Sequence, residues 1–271
     1  MFEIVFQHDP SNQDKQEQPT DAEQARARLA KGNARFASLW SEGSPASQRL
    51  VFPSDLKGVL EAKAGVAPEH HPFAAVLSCS DARVPTELLF FEPLNKLFVV
   101  SLAGNVIGNE SIGSLNYAAQ HLGGSVKLMV VLGHSGCGAV NAAVDAYLNP
   151  STTPAMTSTL GLRSVVEHIF VAVRTAAKAL EGTQHPATDD EATYRARLAG
   201  VSVVINAALS AMTLQQVLGP AIPSDCKVAF GVYDLATREV LGPEGPGLTD
   251  PPASFEELEK LAVHVAGMDR W

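Results

Sequence analysis

The sequence contains few cysteines, few basic residues and no long apolar run. Only three of the 271 residues are cysteine, at positions 79, 137 and 226, which excludes the disulfide-rich scaffolds of small secreted proteins. No run of about 18 apolar residues occurs, so we expect no transmembrane helix and no membrane partner. Lys and Arg number 20 against 29 Asp and Glu, a net charge of −9. Because nucleic acids bind clustered Lys and Arg, we expect no nucleic-acid partner either.

The composition is that of a folded protein. Hydrophobic residues make up 46% of the chain and charged residues 18%, which excludes a largely disordered chain. Residues 7–19 are polar and lack periodicity, so we expect residues 1–19 to form a flexible tail before a single domain over residues 20–271. The first residues lack the basic and apolar segments of a secretory signal, and we therefore expect a cytoplasmic protein with reduced thiols.

Short apolar runs alternate with helical segments along the rest of the chain. The runs are continuously apolar, which is typical of strands covered on both faces. We predict strands over residues 73–78, 97–102, 126–133, 227–233 and 239–241. We predict helices from a capping box at Thr20, over residues 56–64, 86–91, 111–122, 138–147, 160–180 and 191–218, and from Ser254. This order indicates an α/β fold in which helices flank a mostly parallel sheet, with an N-terminal helical arm and a C-terminal helix.

Two groups of reactive side chains follow two of the predicted strands. Cys79, Asp81 and Arg83 come after the first core strand, and His134 and Cys137 come after the third. Because the carboxyl ends of parallel strands meet at one edge of a sheet, we expect these side chains to lie close together. Two thiolates, an imidazole and a carboxylate are ligands that suit Zn²⁺. The sequence therefore predicts a shared metal site at this edge.

The spacing within the groups also fits a metal site. His134 and Cys137 are three residues apart in a glycine-rich turn, and Cys137 is expected at a helix start, where the helix dipole favours a thiolate. Cys79 completes a Cys₂His set and leaves a fourth position for Asp81 or for water. Arg83 is two residues from Asp81, so that the two can pair and keep the carboxylate away from the metal.

A water at the fourth position would then be the nucleophile. Zinc lowers the pKa of a bound water towards about 7 and so gives a hydroxide at neutral pH, which Asp81 would orient. Without the pairing, Asp81 could occupy the metal instead. Cys226 has no comparable neighbours and is expected to be a half-buried bystander.

At these residues the sequence resembles the β-class carbonic anhydrases. Residues 79–85 (CSDARVP) and 133–140 (GHSGCGAV) are similar to the two signature segments of that family. Shorter similar segments lie at residues 29–36, 98–100, 103–105, 113–118 and 230–234. The resemblance extends over about residues 20–241.

The resemblance implies a fold, an assembly and a reaction. The sheet would carry one antiparallel edge strand, and the chain would form a homodimer or a dimer of dimers. Zinc would be held by Cys79, His134 and Cys137, with Asp81 and Arg83 as the catalytic dyad and Asp81 on the metal only in a closed state. Carbon dioxide would bind in an apolar pocket at the dimer interface, lined by Phe98, Ala103 and Tyr117. The reaction implied is the reversible hydration of carbon dioxide to bicarbonate and a proton.

Two other functions are compatible with the same residues. A hydrolase acting on carbonyl sulfide or carbon disulfide would share the metal ligands, and only the shape of the pocket would distinguish it. A non-catalytic zinc protein would need all four metal positions filled by protein, with Asp81 as the fourth ligand. A redox sensor would need a bond between Cys79 and Cys137.

Overall fold

Strands and helices alternate along the chain, as the sequence predicts. The computed structural model describes residues 2–7, 18–39, 48–53, 69–122, 124–152, 158–182 and 190–271. Its strands are β1 (Phe2–Gln7), β2 (Gln48–Pro53), β3 (Ala74–Ser78), β4 (Leu97–Ser101), β5 (Leu128–His134), β6 (Lys227–Tyr233), β7 (Val240–Gly242) and β8 (Gly245–Pro246). Its α-helices are α1 (Ala22–Ser38), α2 (Thr86–Leu89), α3 (Asn109–His121), α4 (Gly138–Leu148), α5 (Leu160–Glu181), α6 (Glu191–Leu218) and α7 (Phe255–Ala266).

Six strands form the central sheet, in the order β4-β3-β5-β6-β7-β8. The four longer strands are parallel, and the short strands β7 and β8 are antiparallel to their neighbours. The structure thus confirms an α/β fold with a mostly parallel sheet. Its antiparallel edge contains two short strands where one was expected. Strands β1 and β2 form a separate parallel pair.

Helices cover both faces of the central sheet, which explains why its strands are continuously apolar. All seven residues of β5 and all five of β3 are buried. Met129 and Val131 of β5 point into a cluster formed with the long helices, whereas Leu128, Val130 and Leu132 point into a second cluster with α1 and α2. Because alternate side chains of a strand face opposite sides of the sheet, each face has its own core.

Helix α6 passes through the larger of these two cores. Together with the turn that follows it, residues 191–221, it is long and apolar enough to cross a membrane by length and composition. In the protein, 72% of its most apolar stretch is buried against other elements. These apolar side chains therefore belong to the core that supports β5 and β6.

The N-terminal segment differs from the sequence-based expectation. Residues 2–7, expected as part of a flexible tail over residues 1–19, form β1 beside β2. The reason is aromatic packing: the rings of Phe6 and Phe52 stack at 5.1 Å between centroids, and those of Phe52 and Phe91 at 4.3 Å. Residues 8–17 of the expected tail and the helix predicted over residues 56–64 lie outside the described residues.

Helix α1 begins one residue later than the capping box predicts. Its N-cap is Asp21, whose carboxylate accepts a hydrogen bond from the Gln24 backbone N–H at 2.8 Å. The Gln24 side chain accepts a hydrogen bond from the Thr20 N–H at 3.2 Å. The helix start thus resembles a capping box in which Asp21 takes the place of Thr20 and Gln24 the place of Glu23. At the other end of the chain, Ser254 caps α7 as predicted.

Candidate metal and catalytic site

The two groups of reactive residues meet at the carboxyl edge of the central sheet. Strand β3 ends at Ser78, directly before Cys79, and β5 ends at His134. The two strands are neighbours, with Ser78 opposite Leu132. The loops that leave them therefore start side by side, and the predicted juxtaposition of Cys79 with His134 and Cys137 is confirmed.

Three buried side chains form a group that could hold a metal ion. The sulfurs of Cys79 and Cys137 and a ring nitrogen of His134 all lie within 4.8 Å of one another. The two sulfurs are 4.0 Å apart, and both thiols are free. The His134 ring is completely buried. This set of two sulfur ligands and one imidazole is a donor set typical of Zn²⁺.

His134 presents its second nitrogen to this group with no other partner. Its Nδ1 lies 3.0 Å from the Ser135 carbonyl oxygen. Because a carbonyl oxygen can only accept, Nδ1 carries a proton, and in a neutral imidazole the lone pair is then on Nε2. Nε2 is buried and has no hydrogen-bond partner among the residues that the structure describes. A buried acceptor left without a donor is costly, and a metal ion at this position would satisfy it.

The Cys79 sulfur is stabilised as a thiolate by hydrogen bonds. A bond from the Cys137 thiol, with a smaller contribution from the Gly104 backbone N–H, lowers the Cys79 pKa against the opposing effect of burial. The Gly104 nitrogen is 3.3 Å from the sulfur. The same contact, together with burial, raises the pKa of Cys137. This side of the site thus favours the charge that a soft metal cation requires.

Cys137 is placed by a sharp turn and a helix start. It is the N-cap of α4, immediately after Gly136, whose φ of +65° lies in the left-handed region. The Asn141 backbone and side-chain N–H groups both donate to the Cys137 carbonyl oxygen, at 2.9 and 3.0 Å. The glycine turn and the helix start that the sequence indicated are both present.

Asp81 and Arg83 are paired beside the three candidate ligands. Arg83 Nε donates to Asp81 Oδ1 at 2.9 Å, and Nη2 donates to Oδ2 at 2.7 Å. The Arg83 guanidinium, with help from its backbone N–H, holds the pKa of the Asp81 carboxyl well below its usual range. Asp81 Oδ2 is 3.8 Å from His134 Nε2. The carboxylate therefore borders the metal group while it is bound by the guanidinium.

The three expected pocket residues lie at different places: Phe98 is on the edge strand β4 opposite Ala75, Tyr117 is on α3, and Ala103 follows β4. The rings of Phe98 and Tyr117 are 6.4 Å apart, and Tyr117 is 50% exposed. Ala103 is also exposed and directly precedes Gly104, the residue that donates to the Cys79 sulfur. Their role in holding a substrate stays a prediction.

Sequence reasoning missed two residues that support Cys79. Gly104 has a left-handed φ of +66°, and a methyl group there would lie 2.8 Å from Ile169 Cδ1, so only glycine fits. The Asn206 side chain, from the buried middle of α6, donates to the Gly104 carbonyl oxygen at 2.8 Å. Gly104 lies in a segment that resembles the family, but nothing in the sequence around Asn206 marks it. Cys226, expected to be half-buried, is instead buried in the core, and this burial raises its pKa to about 12.

Comparisons with known proteins agree with this site. The family model described as "Carbonic anhydrase" matches residues 74–240. This range includes the three candidate metal ligands and the pair Asp81 and Arg83. The chain is 36% identical over 143 residues to carbonic anhydrase 2 of Mycobacterium tuberculosis, covering 52% of this chain and 66% of that protein. It is 42% identical over 118 residues to a carbonic anhydrase of Mycolicibacterium smegmatis, covering 44% of this chain and 50% of that protein.

A solved structure is similar over most of the chain. The β-carbonic anhydrase CafA of Aspergillus fumigatus shares the fold, with a TM-score of 0.50 at 20% identity, covering 90% of this chain and 98% of that one. The curated relatives are matched over less than two thirds of their own length. The family model, by contrast, spans more than half of the present chain and contains the sheet edge with both cysteines and the histidine. The chain therefore belongs to the carbonic anhydrase family, in its β-class.

Proposed function

We propose that this protein catalyses the reversible hydration of carbon dioxide to bicarbonate and a proton, with Zn²⁺ as its cofactor. The observation that carries the proposal is the position of Asp81. Its carboxylate borders the group of Cys79, His134 and Cys137, yet two hydrogen bonds from the Arg83 guanidinium and one from the Arg83 backbone N–H occupy its oxygens. A structural zinc site would use a fourth protein ligand, whereas a catalytic site keeps one position open.

Cys79, His134 and Cys137 would hold the zinc ion. Their sulfurs and the unpartnered Nε2 converge within 4.8 Å. Zinc held there would act as a Lewis acid and lower the pKa of a water molecule that it binds.

Asp81 would orient the attacking water. The Arg83 guanidinium keeps its carboxyl ionised, with a pKa well below the usual range. An ionised carboxylate can only accept hydrogen bonds, so Asp81 Oδ2 would accept one from water on the side facing His134, where it is 3.8 Å from Nε2. This bond would fix the direction of the water's lone pair towards the substrate. Arg83 keeps Asp81 available for that role.

Phe98, Ala103 and Tyr117 would receive the substrate. Carbon dioxide is small and carries no charge, so an apolar surface suits it better than a charged one. Phe98 and Tyr117 are partly exposed aromatic rings beside the edge strand β4, which has a neighbour on only one side of the central sheet. We propose that a second copy of the chain covers this surface, and that the enzyme is a homodimer or a dimer of dimers.

The same proposal includes a cytoplasmic location. Its support is the free state of Cys79 and Cys137, which must stay reduced to bind a metal ion. The net charge of −9 suits a protein whose partner is a small neutral molecule rather than nucleic acid or an anionic membrane.

Stopped-flow measurement of carbon dioxide hydration, with zinc content determined on the same sample, tests this function. We expect about one zinc ion per chain and hydration that depends on it. Asp81→Asn should retain zinc but lose about 100-fold or more in kcat, since a neutral amide orients water poorly. Full activity of Asp81→Asn would show that the assigned role of Asp81 is wrong.

Two further results would replace the proposed reaction. A higher kcat/KM for carbonyl sulfide than for carbon dioxide would make the protein a hydrolase of the sulfur analogue. Zinc binding without turnover of either gas would make it a non-catalytic zinc protein.

A further inference from the structure

The turn that follows β6 extends the contact between β5 and β6 beyond the ends of both strands. His134 and Tyr233 are the last paired residues of these two strands. Beyond them, the Ser135 N–H donates to the Tyr233 carbonyl oxygen at 3.0 Å. The Ser135 hydroxyl then donates to Asp234 Oδ1 at 2.9 Å and accepts from the Leu235 N–H at 2.9 Å. Three hydrogen bonds thus attach Ser135 to residues about 100 positions away in the sequence.

Asp234 is itself held rigidly in this turn. Its Oδ1 accepts from the Ala236 N–H at 3.0 Å, and its Oδ2 accepts from the Thr237 hydroxyl at 3.1 Å. Its backbone N–H donates to Glu239 at 2.8 Å, and its carbonyl accepts from Arg238 at 2.7 Å. A carboxylate bound by several donors cannot rotate freely, so its contact with Ser135 has a fixed direction.

The contact matters because Ser135 also determines the orientation of His134. The Ser135 carbonyl oxygen accepts a hydrogen bond from His134 Nδ1–H, with 3.0 Å between the nitrogen and the oxygen. This bond leaves Nε2 facing the two sulfurs. This carbonyl belongs to the peptide between Ser135 and Gly136, and Gly136 adopts a left-handed φ of +65°. Glycine permits many backbone conformations, so this peptide needs an external restraint to keep one orientation.

We infer that Asp234 is a positioning residue for the metal site, because its bond to the Ser135 hydroxyl fixes the carbonyl that orients His134. The inference rests on the proposed zinc site and extends it to a residue outside the two metal-binding segments. Residues that orient metal ligands in this way typically change metal affinity by about 10- to 100-fold when they are removed.

Zinc affinity measured by chelator competition, on the full chain, tests the inference. Asp234→Ala and Ser135→Ala should each weaken zinc binding about 10- to 100-fold. Because both remove the Ser135–Asp234 bond, the double variant should lose less zinc affinity than the sum of the two single losses. Asp234→Asn keeps an oxygen acceptor and should lose less than Asp234→Ala. Ser125→Ala is the matched control, since Ser125 donates only to Leu122, at 3.1 Å, beyond the amino end of β5.

The absorption spectrum of the Co²⁺-substituted protein separates positioning from stability. A tilted histidine should change the shape of the ligand-field bands, whereas general destabilisation should lower only their intensity. Wild-type zinc affinity in a folded Asp234→Ala variant, or strictly additive losses in the double variant, would overturn the inference. If the alanine variants do not fold, Asp234→Asn and Ser135→Thr test the inference instead. Asp234→Asn should bind zinc more weakly than the wild type, whereas Ser135→Thr keeps the hydroxyl and should bind zinc with near-wild-type affinity.

The same measurements distinguish this inference from the proposed function. Zinc-dependent hydration by the wild type, together with unchanged zinc affinity in the Asp234 variants, would remove the role of Asp234 alone. A wild-type chain that binds no zinc would remove both.

Discussion

The two loops that form the site are held in different ways. In the loop after β3, Asp81 is bound by Arg83, two residues further on, with the Arg83 side chain 60% exposed. At the end of β5, His134 is completely buried, and Ser135, the first residue of the loop that follows, is attached to Asp234, 99 residues away. The position of Asp81 is thus determined by a contact within its own loop, whereas the position of Ser135 depends on a contact with a distant part of the chain. Changes in the Asp81–Arg83 pair should therefore affect turnover, and changes around Ser135 should affect metal binding.

Removing a ligand should have the largest effect, and it should be equal for the two loops. Cys79→Ala and Cys137→Ala each leave two of the three donors, so we expect both variants to lose zinc and more than about 100-fold in carbon dioxide hydration. Zinc content and stopped-flow rates measure this. The control is Cys226→Ala, because Cys226 is buried with a pKa raised to about 12 and should keep zinc and activity. Retention of zinc by either ligand variant would contradict the proposed ligand set.

The pairing of Arg83 with Asp81 is the sharpest test of the first loop. Arg83→Ala removes both guanidinium bonds and leaves Asp81 Oδ1 only the backbone N–H of residue 83, so Asp81 is then expected to turn towards the metal and close the site. We expect kcat to fall about 100-fold with zinc content unchanged. Arg83→Lys should recover only part of the rate, since an ammonium group cannot donate in the same two-pronged manner. A fall in zinc content alongside the rate would show that the Asp81–Arg83 pair also supports metal binding.

Asn206 tests whether the first loop also depends on a distant contact. Asn206→Ala leaves the buried Gly104 carbonyl without its donor, which should cost about 1–3 kcal/mol in the free energy of unfolding and weaken zinc binding through Cys79. Urea unfolding and chelator competition measure the two effects. Thr213→Ala is a matched control on the same helix, because its hydroxyl donates only within α6, to Leu209. Equal zinc affinity in both variants would limit Asn206 to a structural role.

The smallest expected effect concerns the pH dependence of stability at Asp234. Burial opposes ionisation of Asp234, but bonds from Ala236, Ser135 and Thr237 outweigh it and lower its pKa. A lowered folded-state pKa stabilises the protein above the unfolded value of about 3.9, and this contribution is lost as the pH falls through the folded value. The difference in unfolding free energy between wild type and Asp234→Asn, in zinc-free protein, should therefore narrow by up to about 1 kcal/mol below pH 4. If the difference in unfolding free energy between the two proteins instead widens in acid, Asp234 is not stabilised as an anion.

The agreement between sequence and structure is greatest where the pattern is local or periodic. Strand β6 and helix α6 have the predicted bounds, because continuous apolar runs and helical periodicity are determined by burial on both faces of a sheet. The departures are at chain segments whose partners are far away. Strand β1 was expected as tail because its partner β2 is more than 40 residues away, and the stacking of Phe6 on Phe52 leaves no local signal.

For the candidate site, the sequence by itself determined which chemical groups are present and how they pair at short range. Cys79, His134 and Cys137 as ligands, and Asp81 with Arg83 two residues apart, follow from residue type, spacing and position after strands. Only the tertiary structure decided which groups restrain them. Gly104 contacts Cys79, Asn206 contacts Gly104, and Asp234 contacts Ser135 beside His134. These contacts join segments separated by 25 to 102 residues. Spacing specifies contacts within one turn, whereas contacts across the sheet exist only once β3, β5 and β6 have paired.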